Sequence, residues 1–192
     1  MLVNRFVPEI NNYVILDDVQ GAKIATKHLT DLGHQRIAHI SGPLYTGTGI
    51  SRFKGYREGL QEERITFNPS YVQESQYTVE SGYVSMQKLL ELPTPPTAIF
   101  ASNIMTCLGA MKAIHDHGLI IPRDISLIGF HDVFFTSTLQ PSLTTVKMPL
   151  YNMGRESVKK LIATINGEEN ENGLTISGAS IVIRDSTSPP SI

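Results

Sequence analysis

The residues able to do chemistry in this chain stand at the ends of apolar runs. Asn4 follows Leu2-Val3, Asp17 follows Val14-Ile15-Leu16, and Ser41 follows Ile37-Ala38-His39-Ile40. Gln76-Tyr77 come after Tyr71-Val72, Ser102-Asn103 after Ala98-Ile99-Phe100-Ala101, and His131-Asp132 after Ile125 to Phe130. Arg52 joins them from the start of the helical run Phe53, Tyr56, Leu60. Donors, acceptors and one permanent cation, with Tyr77, Phe134 and Phe135 as flat faces, suit holding a small polar ligand such as a sugar or nucleoside. Parallel α/β sheets place ligands beyond the carboxyl ends of their strands, where these residues fall. Each also has a plainer role. Asp17 or Asp18 suits a helix cap, as does Asn103. Arg52 suits a solvated surface charge, the aromatics suit packing, and His131 suits a hydrogen bond to its own loop.

Chemistry that makes or breaks bonds finds little to work with, so the chain reads as a binder and not an enzyme. There is no Gly-x-Ser-x-Gly elbow and no Gly-x-x-x-x-Gly-Lys-Ser/Thr phosphate loop. Gly47-Thr48-Gly49 precedes a helix but lacks the third glycine of a phosphate cradle. Asp17-Asp18 are adjacent near a helix start and so point different ways, a poor acid/base pair. His115 and His117 flank Asp116 before Gly118 with no third ligand in sight, so neither metal nor cofactor is expected. Cys107, the single cysteine, sits among Leu108 and Met111 as an apolar filler and excludes an intrachain disulfide.

With 192 residues the chain has material for one large domain or two lobes. A formal net charge of −2 gives no long-range pull on nucleic acid, so grip on a phosphate backbone is expected from another segment. The start, Met1 to Arg5, is too short and polar for a targeting segment and reads as a strand already under way, so the chain is expected to be a fragment. No membrane span is read, and one cysteine fits a reducing, cytoplasmic setting.

The elements that must position these groups alternate. Strands are expected at 14–16, 37–40, 71–72, 98–101, 125–130, 143–146 and 180–184. Between them lie helices that stop at Gly33, run through Phe53 to Leu60, span Val79 to Leu92, start at Ser102-Asn103 and stop at Gly118, and follow Pro149 to Gly167. Tyr45 to Gly49 reads as a loop, Glu168 to Gly173 as a polar turn, and Ser186 to Ile192 as a loose tail. This alternation means α/β architecture with parallel sheets covered on both faces.

Several motifs, in order along nearly the whole chain, carry a resemblance. They are Gly33-His34-x-Arg36-Ile37-Ala38-x-Ile40-x-Gly42, Arg52-x-x-Gly55-Tyr56, and Pro96-Thr97-Ala98-Ile99-Phe100-Ala101-x-Asn103. Asp124-Ile125-Ser126-Leu127-Ile128-Gly129-Phe130-x-Asp132 follows, with Pro141-x-Leu143-Thr144-Thr145-Val146, Met153-Gly154 and Val182-Ile183-Arg184-Asp185-Ser186-Thr187. Together they resemble the LacI/GalR (lactose/galactose repressor) family of bacterial transcription regulators. The resemblance implies a type I periplasmic-binding-protein-like core, two parallel-sheet lobes with a ligand between them. On that template 18–146 corresponds to a complete C-terminal effector-binding lobe, and 1–17 with 147–192 to a partial N-terminal lobe, crossover strands and tail. The helix-turn-helix has no counterpart here.

The resemblance further implies that Asn4 reaches the ligand from the N-terminal lobe. Arg52 donates a fork of hydrogen bonds, Thr48 and Asn103 hydrogen-bond the ligand, Tyr77 forms an aromatic wall, and His131 stands where the family usually has an aspartate. Ile104 likewise replaces an aspartate or asparagine. Both departures remove acceptors and favour a less polar or anionic ligand over a standard hexose. The implied partners are a small effector (a sugar or related polar metabolite), a second copy of the chain in a homodimer, and operator DNA through the absent helix-turn-helix. His131 is further expected to titrate near neutral pH and make binding pH-sensitive. The competing reading, a stand-alone sugar-binding protein serving a transporter, calls for a secretory segment that the opening residues do not supply.

Overall fold

In the computed structural model, which describes residues 1–7, 9–168 and 173–191, strands and helices alternate as expected and divide between two sheets. The larger has six strands in the order β4-β3-β5-β6-β7-β9: β3 (Ile37–Ser41), β4 (Val72–Glu74), β5 (Ala98–Ala101), β6 (Ser126–Phe130), β7 (Thr144–Lys147) and β9 (Ser180–Val182). All its pairings are parallel except β7 with β9. The smaller sheet, β1 (Leu2–Val3), β2 (Tyr13–Leu16) and β8 (Leu174–Ile176), is parallel throughout.

The apolar runs that predict strands are fully buried because helices cover both faces of the large sheet. Side chains alternate between two cores along each strand. Ala38, Ile40, Ile99 and Leu127 face the core shared with Cys107 and Ile114 of α4 (Ile104–Asp116) and Met86 of α3 (Val79–Leu90). Ile37, Phe100, Ile128 and Phe130 face the core shared with Ala25 and Leu29 of α1 (Asp18–Asp31) and Tyr56 of α2 (Gly47–Glu62). Cys107 fills that first core as a buried free thiol. Among the described residues no helix is long and apolar enough to cross a membrane.

Gly55 sets how closely α1 and α2 approach. A Cβ built there would lie 2.2 Å from the carbonyl oxygen of Val19. Nothing larger than glycine lets the second residue of α1 come against the middle of α2.

The local reading needs three corrections. Gly47 to Gly49 are the first turn of α2, not loop, because Thr46 caps the helix by accepting from the Gly49 N–H at 3.1 Å. β8 is a strand where none was expected; its three residues are too short a run for the apolar pattern to register. The strand expected at 180–184 is present as β9 and pairs with β7 on the large sheet. The tail is not loose. Ser186 is fully buried, donating to the Leu127 carbonyl at 2.6 Å and accepting from the Thr144 N–H at 2.8 Å. Arg184 donates to the Leu143 carbonyl at 2.7 Å and to Asp132 at 2.8 Å, and the Ser188 N–H donates to the Ser126 hydroxyl. Short hydroxyl side chains here satisfy backbone groups of β6 and β7 that pairing leaves open. Of the polar turn read at Glu168–Gly173, residues 169–172 lie outside the described residues.

The long helix after Pro149, α5 (Leu150–Ile165), rests against β2 yet keeps Tyr151, Val158, Ile162 and Ile165 more than half exposed. Among the described residues its apolar stripe therefore has no partner.

Ser186→Ala is expected to lower the unfolding free energy by about 1–3 kcal/mol, since it strands the buried Thr144 N–H. Urea denaturation measures this, and an unchanged midpoint would show that the tail does not hold the sheet.

Candidate functional site

β2 ends in two aspartates that divide the work. Asp17 caps α1, its Oδ1 accepting from the Gln20 N–H at 3.0 Å. Asp18, one residue on, turns inward and is 5 % exposed. Its Oδ1 accepts from Arg52 Nε at 3.1 Å and Nη2 at 3.0 Å. Arg52, 3 % exposed, comes from the face of α2 that Gly55 brings against α1. Its guanidinium lies 4.1 Å from the Phe130 ring centroid, and Nη1 donates to the Ser102 carbonyl at 2.7 Å. Burial pushes the Asp18 carboxyl above its ordinary value, while the charge and hydrogen bonds of Arg52 oppose that push. Asp18 is the residue that sequence reasoning undervalued. The available signal was that one aspartate of the pair suffices as a cap, leaving the other for the nearby cation.

His131 follows β6 with a left-handed backbone, φ 77°, its N–H donating to the Val146 carbonyl at 2.9 Å. Its Nε2 lies 3.1 Å from Arg52 Nη2. Burial, reinforced by the neighbouring Arg52 charge, pushes the imidazole down to about 3. The expectation of titration near neutral pH is thereby corrected: the ring stays neutral across the physiological range.

Tyr77 also has a left-handed backbone, φ 59°. Its hydroxyl lies 3.2 Å from the Thr48 hydroxyl, and its ring lies over Gly42, where a Cβ would come within 2.0 Å of the phenol. Asn103 caps α4, Oδ1 accepting from the Thr106 N–H at 2.7 Å, while Nδ2 donates to the Tyr77 carbonyl at 3.5 Å. The cap role and the site position are thus compatible.

From the small sheet, Asn4 (φ 52°) meets Thr48 across a cavity of about 200 Å³ that Asp18, Phe6 and Tyr13 also line. A wider cleft of about 630 Å³ is lined again by Asn4, Phe6 and Thr48, together with Tyr45 and Thr46. Two of the expected aromatic faces lie elsewhere. Phe134 is 90 % exposed and meets Phe135 edge-on, while Phe135 packs on the α4 core. Phe6 and Tyr13, edge to face at 5.2 Å, supply the cleft's rings instead.

All six expected residues therefore belong to one neighbourhood: Asn4 and Thr48 face each other, Thr48 and Asn103 touch Tyr77, and Arg52 touches His131 and the residue before Asn103. Three polar atoms here are buried without a hydrogen-bond partner, Asn4 Oδ1, Ser102 Oγ and His131 Nδ1. Buried polar atoms are normally paired, so these three stand out, as do Asn12 Oδ1 and His39 Nε2 outside this group. Among the described residues no three acidic, histidine or cysteine side chains converge as metal ligands would. A groove of about 640 Å³ among Phe53, Arg57 and Phe67 lies on the outer side of α2, apart from these atoms.

Comparison with known proteins agrees with this geometry. Residues 26–187 match the family model of a periplasmic binding protein-like domain. The HTH-type transcriptional repressor CytR of Escherichia coli strain K12 is 34% identical over 188 residues, which are 97% of this chain and 55% of that protein. The chain thus spans a little over half the length of such relatives. A LacI family transcriptional regulator from Mycobacterium smegmatis superposes with a TM-score of 0.93 at 30% identity, covering 98% of this chain and 70% of that one. A sugar-binding LacI family regulator from Escherichia coli, solved with phosphate, gives 0.88 at 32% identity over 99% of this chain and 68% of the other.

Two neutral histidines make the fold acid-sensitive. His39, stacked between Tyr56 and Phe100, is also pushed down to about 3 by burial. Below the ordinary value of 6.5 the unfolded chain takes up protons that these folded rings refuse, so stability present above that pH is lost progressively toward 3. Each ring is expected to remove about 2 kcal/mol between pH 7 and pH 5. Equilibrium denaturation at the two pH values tests this; a flat profile would mean the rings are solvated or charged.

Proposed function

Because the chain belongs to the LacI/GalR family through its periplasmic-binding-protein-like core, we propose that it is the effector-binding and dimerisation part of a DNA-binding transcription regulator. Its effector is a small polar metabolite, a sugar or a relative of one, held between the sheets. What supports this reading most is the meeting of Asn4 from one side with Thr48 from the other on one cavity, with Thr48 linked to Tyr77, Tyr77 to Asn103, and Arg52 to His131. A ligand that bonds to both walls favours the arrangement in which they are close, by its differential affinity for that state. In this proposal, 18–146 forms the main effector-binding body and moves as a unit against 1–17 and the segments paired with them. That rotation changes the spacing of two DNA-binding heads in a homodimer.

A net charge of −2 fits operator contact made by a separate segment. For the dimer contact we favour the outer face of α3 and α4. Val79, Val84 and Met105 are 40–48% exposed there, and Val79, Tyr83, Val84 and Lys112 line an apolar hollow of about 440 Å³. The setting proposed for such a regulator is the cytoplasm, and no reaction is assigned to it.

Calorimetry against glucose, galactose, ribose, uridine, adenosine and glucuronate is expected to find at least one saturable ligand. Thr48→Val should weaken that ligand about tenfold, the loss of one neutral hydrogen bond, with the unliganded melting temperature little changed. Arg52→Ala is the wrong probe: it leaves Asp18 buried and unpaired, at a cost of roughly 3–5 kcal/mol in stability. No binding across the panel, or full affinity in Thr48→Val, would count against the site.

A further inference from the structure

Arginine has no acceptor, so the 3.1 Å contact between Arg52 Nη2 and His131 Nε2 has one reading: Nη2 donates and Nε2 accepts. An imidazole accepting at Nε2 carries its proton on Nδ1 when neutral. That Nδ1 is buried without a partner, so His131 holds out an unspent donor. Arg52 points the same way. Nε and Nη2 donate to Asp18, Nη2 donates also to His131, and Nη1 donates to the Ser102 carbonyl. Of five N–H groups, the one left over belongs to Nη1, among the bonds the described residues make. At the carboxyl end of β6, therefore, both side chains keep an uncommitted donor. Asn4, which lines the cavity of about 200 Å³ together with Asp18, the partner of Arg52, holds an unspent acceptor at Oδ1.

Building on the effector-binding reading, we infer that His131 is a specificity-determining residue that reads a hydrogen-bond acceptor, so the effector carries a carbonyl or carboxylate oxygen at the edge facing β6 and a hydroxyl or amine donor at the edge facing Asn4. A hydroxyl at the β6 edge can still accept from Nδ1, but its own hydrogen then meets donors where an aspartate would have met it with a lone pair. A hydroxylated carboxylate matches both edges. Leaving a buried polar group unpaired is what makes such discrimination steep. Arg52 acts on the ligand here chiefly through His131: it fixes the tautomer, and Asp18 and the Phe130 ring fix Arg52.

Two measurements on the 192-residue chain test this. In ¹⁵N–¹H long-range correlation spectra, with the signal assigned by His131→Gln, His131 should show a protonated Nδ1 and an unprotonated Nε2, unchanged from pH 5.5 to 8. In calorimetry, glucuronate and galacturonate should bind about tenfold or more tighter than glucose and galactose, each pair differing only in a carboxylate for a hydroxymethyl. His131→Asn is neutral and offers both a donor and an acceptor, so it should bring the paired affinities toward parity. A proton on Nε2 overturns the inference even where sugars bind well. Equal or better binding of the hydroxymethyl sugars overturns it too. Discrimination that persists in His131→Asn assigns the preference to charge at Arg52 and removes His131 from it. No binding by any of the four sugars, with another ligand of the wider panel bound, refutes the inference while sparing the effector reading; silence across both panels refutes both.

Discussion

The ion pair between Arg52 and Asp18 is the contact on which the site depends. Both side chains are almost fully buried, and two of the arginine's N–H groups bond one carboxylate oxygen. Taking two charges out of water costs several kcal/mol each, and their mutual attraction offsets this only with good geometry and further bonds. Those further bonds are present: the Ser102 carbonyl, His131 Nε2 and the face of Phe130. The pair is thus a weak argument for stability and a strong one for specificity. It ties the start of α1, the second turn of α2, and the carboxyl ends of β5 and β6 to one point.

That convergence rests on backbone sterics as much as on charge. Gly55 removes the side chain that would hold α1 and α2 apart. Gly42 does the same for the Tyr77 ring, and through it for the Thr48 hydroxyl. Asn4, Tyr77 and His131 all sit at positive φ without being glycine. Residues held in that region are strained by about 1–3 kcal/mol each and persist only where surroundings over-determine them. Three among six candidate site residues is a concentration that packing alone does not ask for. Here the hydrogen bonds to Val14, Val146 and Asn103 hold each one in place.

Much of the fold was legible because its strands are covered on both faces. Ile37 to Ile40, Ala98 to Ala101 and Ile125 to Phe130 read as strands because apolar residues fill them except at His39, which stacks among Tyr56, Phe53 and Phe100 and donates to the Phe100 carbonyl, and at Ser126, whose hydroxyl donates to the Ser188 carbonyl. Long-range pairing was not legible. Nothing local in Ser180-Ile181-Val182 says that its partner is β7, or that Ser186 will bond Leu127 and Thr144. Nor does the sequence distinguish β8 from loop. The polar groups of the proposed site were legible as a list of residues at strand ends, because such ends share one side of a parallel sheet. Its wiring was not: which aspartate caps, which pairs, and which rings line the cavities depend on distances between segments remote in sequence.

The wiring changes what Arg52 is for. A free guanidinium in a sugar cleft would be read as the residue that grips the ligand. Here most of its donors are spent on Asp18, Ser102 and His131 before any ligand arrives, so a ligand that claimed them would have to break bonds inside a desolvated network, where each costs most. It is more economical for the ligand to bind at the network's edge, on the atoms left unpaired. The arginine then contributes by holding those atoms still, so that ordering them costs little when the ligand binds. In the effector-binding proposal, a residue conspicuous in sequence as the one cation among neutral groups becomes mainly the support of a less conspicuous histidine.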